Sequence, residues 1–153
     1  MPLKIFNKNQ KLEILNKLKK QFGINEIPGT IIKSGTERLF LYQGDLTPNQ
    51  IYELERTLPI ERVGVYFAKL MNDNIRLSIE GTQILQNQIT KNIFELDEEQ
   101  TQEWMMGSEL LIATGKQDFL IMKHNNEFLG TGKASAEKIS NFIPKNRRLK
   151  RKD

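Results

Sequence analysis

The stretch Ile93-Phe94-Glu95-Leu96-Asp97-Glu98-Glu99-Gln100-Thr101-Gln102-Glu103-Trp104-Met105-Met106-Gly107 decides how the carboxy-terminal half of the chain is read. Ile93 to Leu96 has the apolar character of a short strand. Asp97 predicts a helix N-cap, with Gln100 at the capping-box position three residues on. Glu98 and Glu99 set negative charge against the positive end of the helix dipole. Trp104, Met105 and Met106 close the helix, and Gly107 ends it. Beyond this point strands are expected over residues 109–113, 119–123 and 128–133, separated by Gly115-Lys116-Gln117-Asp118 and by Asn125-Asn126. One helix among short strands predicts a small β-barrel.

Downstream, residues 133–153 hold eight basic and two acidic side chains, a net charge of +6. The whole chain carries +4, so everything before Lys133 sums to −2. A slightly acidic body with a cationic end is the electrostatic footprint of a nucleic-acid binder, since Lys and Arg displace the counterions condensed on phosphates. Ile143, Pro144 and Leu149 are threaded through the charge, which predicts that part of the segment packs on the body.

Upstream, Leu12, Leu15, Leu18 and Phe22 recur at helical spacing over residues 11–22, with Lys11, Lys17, Lys19 and Lys20 beside them and Gly23 as the stop. Residues 29–33 and 37–42 flank Ser34-Gly35-Thr36, a hairpin pattern. Thr47 as N-cap, Pro48 at the first helical position and Gln50 mark a second helix whose face is Ile51, Leu54 and Leu58. Strands are expected at 63–70 and 75–79 across Asn72-Asp73-Asn74. Ile84, Leu85 and Ile89 are expected to be buried where the halves meet, because no linker composition separates them.

Composition bounds the function. A 38% hydrophobic and 27% charged chain of 153 residues fits a folded domain or two small ones. No run approaches the roughly 20 apolar residues of a membrane helix, and Met1-Pro2-Leu3-Lys4 begins no secretory signal, so no membrane partner and a cytoplasmic location are expected. Zero cysteines exclude disulfides, thiolate metal sites and cysteine nucleophiles. His124 is the single histidine, read as an exposed loop residue, so neither a zinc site nor an acid–base pair is expected. Gly130, Gly132 and Lys133 lack the strand–loop–helix context of a phosphate loop. The expectation is therefore no cofactor and no enzyme.

The motifs Leu96-Asp97-Glu98-Glu99, Trp104-Met105-Met106-Gly107-Ser108-Glu109-Leu110, Phe128-Leu129-Gly130-Thr131-Gly132-Lys133-Ala134 and Ile143-Pro144-Lys145-Asn146-Arg147-Arg148 fall in one order. That order resembles the PUA domain, an RNA-binding pseudobarrel attached to pseudouridine synthases, archaeosine transglycosylases and Sun-type RNA methyltransferases. The first half resembles the pre-PUA domain of small stand-alone archaeal proteins and of a eukaryotic ribosome-biogenesis factor. The resemblance implies an α+β chain in which a pre-PUA-like domain, residues 1–89, packs on a PUA-like β-barrel, residues 90–153. It implies non-catalytic binding of structured RNA, either rRNA or tRNA, in ribosome biogenesis or RNA modification. The alternatives are a detached RNA-binding subunit of an RNA-modifying enzyme, such as a methyltransferase, and a protein-interaction module partnering a ribosome-assembly protein.

In PUA domains RNA lies against the helix, the loop after it and the final strand region. The resemblance thus implies close backbone approach at Gly107 and phosphate contacts from Lys133, Lys145, Arg147, Arg148, Lys150 and Arg151. Trp104 is read as core rather than as a stacking platform, and the lysines of the first helix as a solvated face.

Overall fold

Asn7, Thr47 and Asp97 open three helices by one device: each side chain accepts the N–H three residues on, and the Gln found there bonds back to the cap's own N–H. Two of the four orphan donors of each helix start are thereby satisfied. The structure, a computed structural model, describes residues 2–60 and 63–150. Among them the α-helices are α1 (Lys8–Phe22), α2 (Pro48–Thr57), α3 (Ile79–Ile84) and α4 (Glu98–Met105).

A first sheet runs β1 (Leu3–Ile5), β2 (Thr30–Ser34), β3 (Arg38–Tyr42), β4 (Val65–Met71) and β5 (Asn74–Leu77), in that order and antiparallel throughout. Alternation along its strands separates two apolar layers. Ile31, Leu39 and Leu41 share a core with Ile14, Leu18 and Phe22 of α1. Ile32 faces the other way and joins Leu3 and Ile51 of α2. The outer strand β1 is blunted by α2, where Glu55 accepts from the Leu3 N–H at 2.6 Å and Tyr52 from the Ile5 N–H at 2.8 Å.

The second sheet is β6 (Ile93–Glu95), β7 (Asp118–His124), β8 (Glu127–Ala134) and β9 (Ile139–Asn141). Here β6 pairs parallel to β7, and the remaining pairs are antiparallel. Phe119, Ile121 and Phe128 of this sheet lie in the same core as α1, so one apolar interior runs through both halves. Trp104 centres the other layer, fully buried, with its indole N–H donating to the Leu129 carbonyl at 2.9 Å. Between the sheets α3 leans on β4 so closely that a Cβ at Gly81 would strike the Phe67 carbonyl.

The expected α+β content, both hairpins, the two capped helices at Thr47 and Asp97 and the first lysine-rich helix are present; several details differ. Helix α1 starts three residues earlier than expected, and its inward face is Ile14, Leu18 and Phe22, leaving Leu12 51% exposed. On α2 only Ile51 is buried, while Leu54 and Leu58 stay exposed. Residues 109–113 form no strand: Leu110 makes one bridge to Ile139, and Leu111 is 85% exposed. Ile79 starts α3 instead of ending a strand, and at the junction Leu85 and Ile89 are buried but Ile84 is not. No described helix is long and apolar enough to cross a membrane.

Candidate nucleic-acid interface

The geometry at the end of α4 follows from one glycine. Met106 still has helical angles, whereas Gly107 turns to φ 92°. That turn lets the Gly107 N–H reach the Trp104 carbonyl and the Ser108 N–H reach Glu103, both at 3.0 Å, a Schellman closure. A side chain at this φ is strained, and a Cβ would also collide with the Arg148 side chain, which lies across the glycine.

Arg148 is fixed there from behind. Its Nε donates to the Ile143 carbonyl at 2.9 Å, and Ile143 itself is buried. The next residue, Leu149, donates its N–H to the Met105 carbonyl at 2.7 Å. Asn141 ties the same corner, donating to the Trp104 carbonyl at 2.8 Å and to Ser108 at 3.0 Å while accepting from the Ile143 N–H at 2.8 Å. The basic segment is therefore laid against the carbonyl end of α4, where a cation complements the helix dipole. Packing of the segment was expected from Ile143, Pro144 and Leu149; only Ile143 supplies a buried side chain, and Leu149 holds by its backbone.

The remaining site candidates are distributed around this corner. Lys145 and Arg147 bound a short 3₁₀ turn, both exposed, and Lys150 is exposed beyond it. Arg147 turns toward the first half and pairs with Glu80 at the start of α3. Lys133 stands on β8 with its ammonium 5.9 Å from the Phe119 ring. Arg151 lies outside the described residues. So the structure joins Gly107 to Arg148, draws Arg147 to Glu80, and sets Lys133 on the sheet. Asn141 and Glu80 escaped the sequence reading: each matters through partners tens of residues away, and no local pattern marks them.

Side chains that invite a catalytic reading have structural partners. His124 sits at the end of β7, half-buried instead of in an exposed loop, with Nδ1 2.9 Å from the Leu96 carbonyl. Glu95 pairs with Lys123 at 3.7 Å, and Asp97 caps α4. Gly130, Gly132 and Lys133 belong to β8, not to a loop. No cluster of three or more metal-ligating side chains occurs among the described residues.

Residues 91–149 match the family described as the methyltransferase RsmF PUA domain. Two relatives carry the name ribosomal RNA small subunit methyltransferase F. The protein from Vibrio cholerae serotype O1 is 27% identical over 146 residues, covering 92% of this chain and 29% of that protein. The protein from Aeromonas salmonicida is 22% identical over 136 residues, covering 86% of this chain and 26% of that protein. These matches support a PUA-domain protein related to the Sun-family proteins, in the stretch where the motifs implied one. It spans less than a third of the length of these relatives, and the family match falls on their PUA domain.

Proposed function

We propose that this chain binds structured RNA, rRNA or tRNA, without catalysing a reaction on it, and serves ribosome biogenesis or RNA modification in the cytoplasm. In this reading residues 1–89 are a pre-PUA-like unit and residues 90–153 the RNA-binding PUA-like unit. The observation that carries it is the anchoring of a cationic segment, Lys145 to Lys150, on the end of α4 through Arg148 and the Leu149 N–H. A tethered run of cations meets a phosphate backbone with little ordering left to do, and shape and exposed nucleotides then give selectivity. Arg148 and Arg147 suit bidentate phosphate contacts that a lysine makes less well.

Replacing Lys145, Arg147 and Arg148 together with Ala tests this. Each phosphate contact adds roughly 0.7 to 0.9 to the slope of log affinity against log salt, so the slope should flatten by about two to three. The loss should be similar across RNA sequences. Wild-type affinity and slope in the triple variant would rule the segment out. Purified protein with total RNA and S-adenosylmethionine should yield no methylated product.

A second reading is favoured by the relatives' names: a detached RNA-binding subunit for an RNA-modifying enzyme, with the first half gripping the catalytic partner. Co-purification with a methyltransferase that lacks a PUA domain would support it.

A further inference from the structure

Between the two sheets a cleft of about 100 Å³ opens to solvent, lined by Tyr66, Arg76, Ile79, Phe142, Pro144 and Arg147 among others. It adjoins the basic turn through Pro144 and Arg147 yet is separate from the Gly107–Arg148 corner. Its polar walls are already satisfied: Ser78 Oγ donates to the Tyr66 carbonyl at 2.9 Å, and Thr131 Oγ1 to the Leu77 carbonyl at 2.8 Å. What remains to meet a ligand is aromatic, aliphatic and cationic, with one carboxylate, Glu80, already paired to Arg147. The Arg76 guanidinium lies 4.2 Å from the centre of the Phe142 ring. Tyr66 is set against Phe40, with ring centres 5.6 Å apart, and Phe142 edge-on to Phe119 at 6.2 Å, so both rings are held before anything binds. Glu80 keeps Arg147 at the rim.

We propose that this cleft receives one unpaired nucleotide of the bound RNA. The base stacks against the Phe142–Arg76 pair and Tyr66, and the adjoining phosphate meets Arg147. Flat rings and guanidinium planes are what unstacked bases are read by. An anionic ligand with an apolar face satisfies both halves of the lining. The inference rests on the RNA-binding reading above and adds to it a place where paired and unpaired RNA are told apart.

The test uses the full chain and two probes: an RNA hairpin with an unpaired pyrimidine loop, and the same stem as an uninterrupted duplex. Wild-type protein should bind the hairpin about tenfold more tightly. Arg76→Gln and Phe142→Leu should each cut that preference to about twofold while duplex binding holds. Thermal unfolding checks that the variants fold. As a readout free of variants, a fluorescent base analogue in the loop should change emission on binding wild-type protein, and ultraviolet crosslinks should map to Tyr66 or Phe142. Equal binding of hairpin and duplex by wild type, unchanged preference in both folded variants, or crosslinks confined elsewhere would overturn the cleft assignment alone. Failure of wild type to bind either RNA would remove the parent reading and this inference with it.

Discussion

At the end of α1, Gly23 turns to φ 80° and its N–H returns to the Lys19 carbonyl at 2.9 Å; at the end of α4, Gly107 turns to φ 92° and its N–H returns to Trp104 at 3.0 Å. The two stops share their local chemistry and differ in what covers them. Over Gly23 lies Thr90, whose N–H donates to the Phe22 carbonyl at 2.8 Å, joined by Asn92 donating to Gln21. Over Gly107 lies the Arg148 side chain. Both glycines are half-buried; a neutral strap of hydrogen bonds from Thr90 and Asn92 ties the first stop to the second half of the chain, while a guanidinium sets charge over the second. The same glycine signal thus serves cohesion in one half and presents charge in the other.

That contrast is broken most sharply at Gly23. Gly23→Ala should lower stability by about 2–3 kcal/mol, through left-handed strain and displacement of Thr90, with the RNA salt slope of the folded fraction unchanged. Denaturant unfolding beside RNA titration reads both. Asn141→Ala comes next. It strips the donor from the Trp104 and Ser108 carbonyls and should cost about 2 kcal/mol, with weaker RNA binding as the basic segment loosens. Gly107→Ala should cost about 1–2 kcal/mol, since Arg148 is a flexible side chain that can move aside. Unlike the Gly23 variant, it should weaken RNA binding, and equal behaviour of the two would erase the distinction drawn between them. The smallest effect is expected from Glu80→Gln. The pair it breaks is well exposed, so stability should change by less than about 1 kcal/mol. Because Arg147 already meets a phosphate in the proposed complex, the salt slope should stay close to the wild-type value, and a steepening by roughly 0.7 to 0.9 would show that Glu80 had withheld it.

What was legible in the sequence was what is local. Thr47-Pro48 with Gln50, and Asp97 with Gln100, announce helix starts because every partner lies within four residues. The hairpin β2–β3 is marked by its own turn. Asn7 with Gln10 is the same box and went unread, which moved the start of α1 and put Leu12 on the wrong face. Helix α3 hid behind Gly81, a poor helix former that the approach to Phe67 demands. Strands β1 and β9 are three residues each; β1 owes its existence to the remote β2, with Ile5 opposite Ile32, whereas β9 folds back on the adjacent β8 and is marked only by its shortness. The apolar run Leu110-Leu111-Ile112 imitated a strand, but only Leu110 makes a bridge, to Ile139. The basic segment was legible as charge; that Arg147 leans to Glu80 and Arg148 to Gly107 was not, because those contacts are set by tertiary packing.

The strap over α1 also bears on how the chain is made. Helix α1 is synthesised before its partners: its last carbonyls wait for Thr90 and Asn92, and its apolar face waits for Phe119, Ile121 and Phe128. At ordinary translation rates the interval from Ile89 to Phe128 is roughly two to eight seconds. Through that time the Gln21 and Phe22 carbonyls lack those partners, and the interior of the first half lacks the side chains that close it. It becomes a finished structure only as the hairpin of β7 and β8 arrives.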